Sequence, residues 1–202
     1  MISKLKNAIR SVTAGISQRS GTDRPESDYE RWQTEENLSS GWDSRTRQLA
    51  KLIEPGASVI EFGAGRQVLK TCLPEGCSYT PSDIVDRGSG TVVCDLNDET
   101  LPAFQTFDVA VFSGVLEYVN DLPRLISHLS NYTDEICASY AVTETNKRSR
   151  RDQGWVNDYS SAQLIDLFRQ SGFDCRHTEK WRKQNIYVFS KRAGAGAAEQ
   201  TP

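Results

Sequence analysis

The chain has 202 residues, 37% of them hydrophobic and 25% charged, which is enough for one domain with a real core. Its 24 lysines and arginines stand against 27 aspartates and glutamates, and a net charge of −3 excludes the global basic field of a nucleic-acid binder. No apolar stretch approaches the roughly 20 residues of a membrane span, no signal peptide is legible, and the cytoplasm is the expected compartment.

Residues 1–20 carry no acid. Ile2, Leu5, Ile9, Val12 and Ile16 recur at helical spacing, with Lys4, Lys6, Arg10 and Arg19 between them. This pattern predicts a basic amphipathic helix docked on the domain, with peripheral contact to an anionic membrane surface as the alternative. Residues 21–27 read as a linker. Residues 28–54 form a second helical region broken near Gly41.

Strand-like runs follow at 58–62, 78–83, 91–96, 107–114 and 135–142, alternating with helical or loop segments. Leu122, Leu125, Ile126 and Leu129 share one helical face after the fourth run. Another helix opens at Ser160 or Ser161 as N-cap and stops at Gly172. The last two runs, 173–181 and 184–192, are so close that only a hairpin joins them. The expected fold is α/β: a doubly wound, seven-stranded sheet, mostly parallel with an antiparallel C-terminal hairpin, plus N-terminal helices. Residues 1–56 would form a helical cap or lid, 57–192 the ligand-binding domain, and 193–202 a disordered tail.

The five cysteines are odd in number and match no zinc spacing, so no metal site or disulfide is expected. Cys94 and Cys137 lie in apolar runs and read as small buried hydrophobes.

In open α/β sheets, ligands bind beyond the carboxyl ends of the strands. The first run ends in Glu61-Phe62-Gly63-Ala64-Gly65. Bare glycine backbone admits a ligand closely, and an acid at a strand tip suits a cationic amine. The second run ends at Asp83, where a carboxylate can accept both hydroxyls of a ribose. The third ends at Asp95-Leu96, an acceptor for an exocyclic amine beside an apolar face. The fourth ends at Ser113-Gly114. Singly, each acid could be a helix cap or a solvated turn; four consecutive strand ends make a constellation.

That constellation, with the stretches VIEFGAG, YTPSD, CDLND and FDVAVFSGVLEYVND, resembles the class I S-adenosylmethionine-dependent methyltransferases over residues 57–191. The resemblance implies a Rossmann-like domain at 57–192 with S-adenosyl-L-methionine as cofactor. Glu61, Gly63, Ala64 and Gly65 would hold the methionine moiety, Asp83 and Ile84 the ribose, and Asp95 and Leu96 the adenine. Ser113 and Gly114 would lie beside the cofactor. Two departures stand out: Tyr118 occupies a position where related enzymes often have histidine, and residues 66–76 leave room for only about two helical turns.

A sulfonium already activates its methyl group, so the protein's task is alignment and exclusion of water, and oriented approach alone supplies roughly 7–11 kcal/mol in good intramolecular cases. A base is needed only for a hydroxyl acceptor. Neither His128 nor His177 falls near the expected site, which leaves Tyr118 and Glu117 as candidate catalytic groups. Tyr29, Arg31 and Trp32 are placed to cover the cofactor, with Arg31 reaching its carboxylate. Beyond the fifth run, Lys147, Arg148, Arg150 and Arg151 form a basic loop suited to a phosphate or sugar nucleotide. Trp155, Asn157 and Tyr159 suit stacking on a sugar and bonding its hydroxyls.

The expected activity is therefore methyl transfer to a small-molecule or glycan acceptor, at oxygen. Two alternatives stand beside it. One is a nicotinamide-dependent oxidoreductase, disfavoured because Val68 replaces the third glycine of G-x-G-x-x-G. The other is a non-catalytic binding or scaffold protein that keeps the fold.

Overall fold

The computed structural model describes residues 27–88 and 90–193. The expected basic helix over 1–20 and the tail from 194 lie outside the described residues.

Seven strands form one sheet: β1 (Ser58–Phe62), β2 (Ser78–Asp83), β3 (Val92–Val93), β4 (Phe107–Ser113), β5 (Thr133–Tyr140), β6 (Phe173–Trp181) and β7 (Gln184–Lys191). Their order is β3-β2-β1-β4-β5-β7-β6. The first five pair in parallel; β7 runs antiparallel to both β5 and β6. Chain order reverses between β1 and β4, which is the switch point where such sheets bind ligands.

Strand alternation sorts the core into two layers. Ile60, Phe62, Ala110, Phe112, Ile136 and Ala138 face one side. They pack there with α3 (Leu122–Leu129) and α4 (Ser161–Gln170). Val59, Val109, Val111, Cys137, Ile186 and Val188 face the other, against Leu49 and Ala50 of α2 (Asp43–Ala50) and the following Ile53. The rings of Phe62 and Phe112 stack at 4.9 Å between centroids in the first layer.

Local chemistry sets the helix ends. Asp121 caps α3 by accepting from the Arg124 N–H, and Pro123 sits in its first turn, where a missing N–H costs nothing. Ser160 and Gln163 form a capping box at α4, and Gly172, at φ 91°, takes the left-handed turn after it.

Three expectations needed adjustment. The third run shrinks to Val92–Val93, because Asp95 folds back in a turn and accepts the Asn97 N–H. The fifth strand starts and ends two residues earlier than predicted. It stops at Tyr140 because the Ala141 N–H goes to the Glu117 carboxylate rather than to a neighbouring strand. The region 28–54 is not one broken helix: α1 (Tyr29–Gln33) is followed by short 3₁₀ turns at Glu35–Asn37 and Ser40–Trp42 before α2. α1 buries no residue, so only its ends and partners hold it. The short 66–76 segment carries a single 3₁₀ turn, Leu69–Thr71, in place of a crossover helix.

Candidate active site

The ends of β1 to β4 open into one cavity of about 900 Å³. Its walls include Glu61, Gly63, Ala64, Gly65, Asp83, Ile84, Asp95, Leu96, Ser113 and Gly114, so every expected cofactor residue faces the same space.

The glycine turn leaves no room for a side chain at Gly63. Gly63 has φ 65°, and a Cβ there would sit 2.5 Å from Cγ2 of Val115. Gly65, at φ 49°, donates its N–H to Oδ2 of Asp83 at 2.8 Å, which ties the turn to the end of β2.

Glu61 is 3% exposed and accepts a hydrogen bond from the Tyr79 hydroxyl at 2.6 Å. Burial pushes its pKa up to about 8; the Tyr79 bond opposes the rise and the charge of Asp83 adds to it. Asp83 accepts from the Gly65 N–H and, through Oδ1, from the Val85 N–H at 3.0 Å, and lies 3.4 Å from Arg87. Arg87 also donates to the Trp32 carbonyl and so ties α1 to this acid. On Asp95, Oδ1 accepts from the Ser27 hydroxyl at 2.7 Å and the Asn97 N–H at 2.9 Å. The chain leading into α1 thus closes over the expected adenine end.

The end of β4 holds a residue that sequence reasoning missed. Arg45, 6% exposed on α2, donates to the Ser113 hydroxyl (3.2 Å), the Ser113 carbonyl (2.8 Å) and Oε1 of Gln184 (3.0 Å). Its guanidinium lies over Gly114 so closely that a Cβ there would fall 2.4 Å from Nη1. The Trp42 and Trp181 rings flank it at 5.8 and 5.7 Å. Among the described residues no carboxylate lies within 4 Å of it. Burial lowers its pKa, and the field of Glu117 opposes this. The sequence carried a signal: Arg45 stands four residues before Leu49, on the face of α2 that the helix buries.

Glu117 is fully buried. Its Oε1 accepts from the Ala141 N–H at 2.8 Å and from Nε2 of Gln184 at 3.5 Å, while Oε2 has no partner. Burial raises its pKa. Burial likewise raises the Tyr118 pKa; its hydroxyl accepts a hydrogen bond from Trp155, whose indole only donates. The Trp32 ring meets the Tyr118 ring edge-on at 5.0 Å.

Glu117, Tyr118, Arg31, Trp32 and Trp155 all line the cavity, whereas Tyr29, Asn157 and Tyr159 do not. Tyr29 is 46% exposed on the outer side of α1. Asn157 is consumed internally: Nδ2 donates to the Leu116 and Val119 carbonyls, and Oδ1 accepts from the Tyr140 hydroxyl. Tyr159 packs against the α3–α4 layer and gives its N–H to that same hydroxyl. Arg31 lines the cavity but donates to the Gln153 carbonyl at 3.0 Å, bridging α1 to the loop after β5. In the basic loop, Arg150 and Arg151 pair with Asp158 and brace the loop itself.

The cleft lies at the switch point of a doubly wound sheet, where such folds bind ligands. The chain belongs to the family described as the methyltransferase domain, whose sequence model matches residues 34–178. No curated protein sequence matches it significantly. Among solved structures, it is similar to the 1,6-didemethyltoxoflavin-N1-methyltransferase of Burkholderia thailandensis with bound 1,6-didemethyltoxoflavin and S-adenosylhomocysteine. The TM-score is 0.61 at 16% identity, over 85% of this chain and 94% of that one. The mitomycin 7-O-methyltransferase MmcR gives 0.61 at 15% identity, over 78% of this chain and 56% of that one. The N-terminal domain of EvdMO1, crystallised in the presence of S-adenosylhomocysteine and D-fucose, gives 0.55 at 16% identity, over 77% and 84%. At these identities the likenesses establish the fold.

Proposed function

We propose that this methyltransferase uses S-adenosyl-L-methionine to methylate a hydroxyl of a small, sugar-bearing acceptor. One observation carries the proposal: four consecutive strand ends deliver their acids and bare backbone into one cavity. Their chemistry fits the cofactor. Glu61, buried and lacking a cation, suits an ammonium. Arg45, buried and lacking a carboxylate, takes the carboxylate role first expected of Arg31. Asp83 keeps lone pairs for ribose hydroxyls beyond its two backbone bonds. Asp95 offers Oδ2 to an exocyclic amine, with Leu96 and Ile84 as apolar walls.

When bound, the cofactor supplies a methyl group already activated by a sulfonium. The chain's own residues do the rest. Glu117 lines the cavity, its buried Oε2 has no partner, and it is the group assigned to take the proton of the acceptor hydroxyl. Tyr118, protonated at neutral pH, orients that hydroxyl. Residues 27–42 act as a cover that excludes water, held by Arg31, Arg87 and Ser27. Trp42, Trp155 and Trp181 wall the acceptor side, and flat indoles suit a sugar face. The EvdMO1 domain was crystallised with a sugar present, which agrees with this choice.

Isothermal titration with S-adenosylmethionine and S-adenosylhomocysteine tests the proposal. The expected result is micromolar binding of both, lost in Asp83→Ala. Absence of heat from either ligand, with NADH binding in its place, overturns it.

A further inference from the structure

Acids and cations of the cavity wall come from different elements. The carboxyl ends of β1 to β3 supply Glu61, Asp83 and Asp95, whereas Arg148 comes from the loop after β5 and Arg182 and Lys183 from the β6–β7 turn. The chain as a whole is acidic, at −3, so this concentration of cations is local.

Elsewhere in the cavity, Arg66 is paired with Asp43, Arg87 with Asp83, and Arg151 with Asp158. Arg148, Arg182 and Lys183 have no carboxylate partner among the described residues. Arg31 and Arg45 in the same cavity also lack a carboxylate, but their guanidiniums are bonded to Gln153 and to Ser113 and Gln184. Among the described residues, the Arg182 guanidinium donates to the Gly41 carbonyl at 3.3 Å and stacks over Trp181 at 4.6 Å. The two elements that carry the three cations adjoin: the Thr145 hydroxyl, in the loop leading to Arg148, donates to the Lys183 carbonyl at 3.4 Å.

The β6–β7 turn supplies an independent sign. Trp181 pairs with Gln184, so Arg182-Lys183 is a two-residue hairpin loop. Such loops favour glycine or asparagine, because their residues take positive φ. Arg182 sits at φ 51° all the same. An arginine held in a left-handed conformation, next to a lysine, at the lip of the cavity, is a local conflict of the kind that marks functional positions.

We infer that the acceptor carries a phosphate group, seated on Arg148, Arg182 and Lys183; this rests on the methyltransferase reading above and names its substrate class. Three cations approach the charge of a diphosphate and exceed that of a phosphate monoester by about one, whereas one carboxylate leaves two uncompensated. Guanidinium groups suit phosphate oxygens through paired N–H donors. The seat belongs to the acceptor, because the residues assigned to the cofactor follow β1 to β4, whereas these three cations are carried by the loop after β5 and the β6–β7 turn.

The test uses the full chain saturated with S-adenosylhomocysteine, titrated calorimetrically with pyrophosphate or with acetate at constant ionic strength. Pyrophosphate is expected to bind and acetate not. Combined Arg148→Ala, Arg182→Ala and Lys183→Ala changes should weaken pyrophosphate at least about tenfold, roughly 1.4 kcal/mol, with S-adenosylhomocysteine affinity unchanged. Arg182→Gly gives a second readout, since glycine relieves the turn: Tm holds or rises while pyrophosphate affinity falls. Equal pyrophosphate affinity in the triple variant, or acetate bound as tightly as pyrophosphate, overturns the inference. If S-adenosylhomocysteine does not bind but pyrophosphate binds and is lost in the triple variant, the anion seat stands and the methyl-transfer reading falls.

Discussion

Single side chains set the pH behaviour of this protein. With a folded pKa of about 8 against an ordinary 4.5, native Glu61 holds a proton that the unfolded chain releases. Its contribution is intact below pH 4.5 and erodes as pH climbs through about 8. At about 1.4 kcal/mol per pKa unit the swing is several kcal/mol. Glu61→Gln should therefore flatten much of the fall in stability between pH 5 and 8, read from urea melts across that range; a slope equal to wild type would refute the assignment. A bound ammonium favours the carboxylate, so cofactor binding should release a proton and tighten with pH in the same window. For Glu117, the amide variant separates brace from base. Glu117→Gln keeps an oxygen for the Ala141 N–H and removes a buried carboxyl, so Tm should hold or rise. Methyl transfer from labelled cofactor should fall by about 10²–10⁴. The acids were legible in sequence because each follows a short strand-like run, which marks the carboxyl side of the sheet even where the strand bounds shift, as at Asp95. Arg45 was not, because a cation on a helix face reads as solvent-exposed until the helix is docked, and Asn157 misled because a polar residue beside aromatics says nothing about which carbonyls it will meet.

At the scale of elements, stability and ligand closure reside in different parts. Replacing the Ser160 cap by alanine should cost about 1 kcal/mol, and Phe112→Ala about 3–5 kcal/mol from the α3–α4 layer, both by chemical denaturation. α1 is different, since it buries nothing and is clasped at its ends. Trp32→Ala should change stability by less than about 1 kcal/mol yet weaken S-adenosylhomocysteine about tenfold, since the Tyr118 contact and the cover go together. A large loss of Tm with intact binding would show the reverse. Strands, both long helices and the hairpin were readable from periodicity and turn residues. The stretch 28–42 was not, because its aromatic residues serve the cavity rather than a helical face, and no period records that.

Across the molecule, one device recurs. Arginines hold distant loops by donating to main-chain carbonyls: Arg31 to Gln153, Arg87 to Trp32, Arg124 to Leu96 and Glu99, Arg150 to Ala141 and Asn157. A carbonyl oxygen is present whatever side chain the residue bears. The stitching is thus written into one partner of each pair alone. A deep mutational scan should find the donors nearly immutable and acceptors such as Gln153 and Glu99 free to drift. Relatives could then exchange much of their loop sequence without losing loop shape, and substrate preference would evolve on a scaffold whose seams do not move.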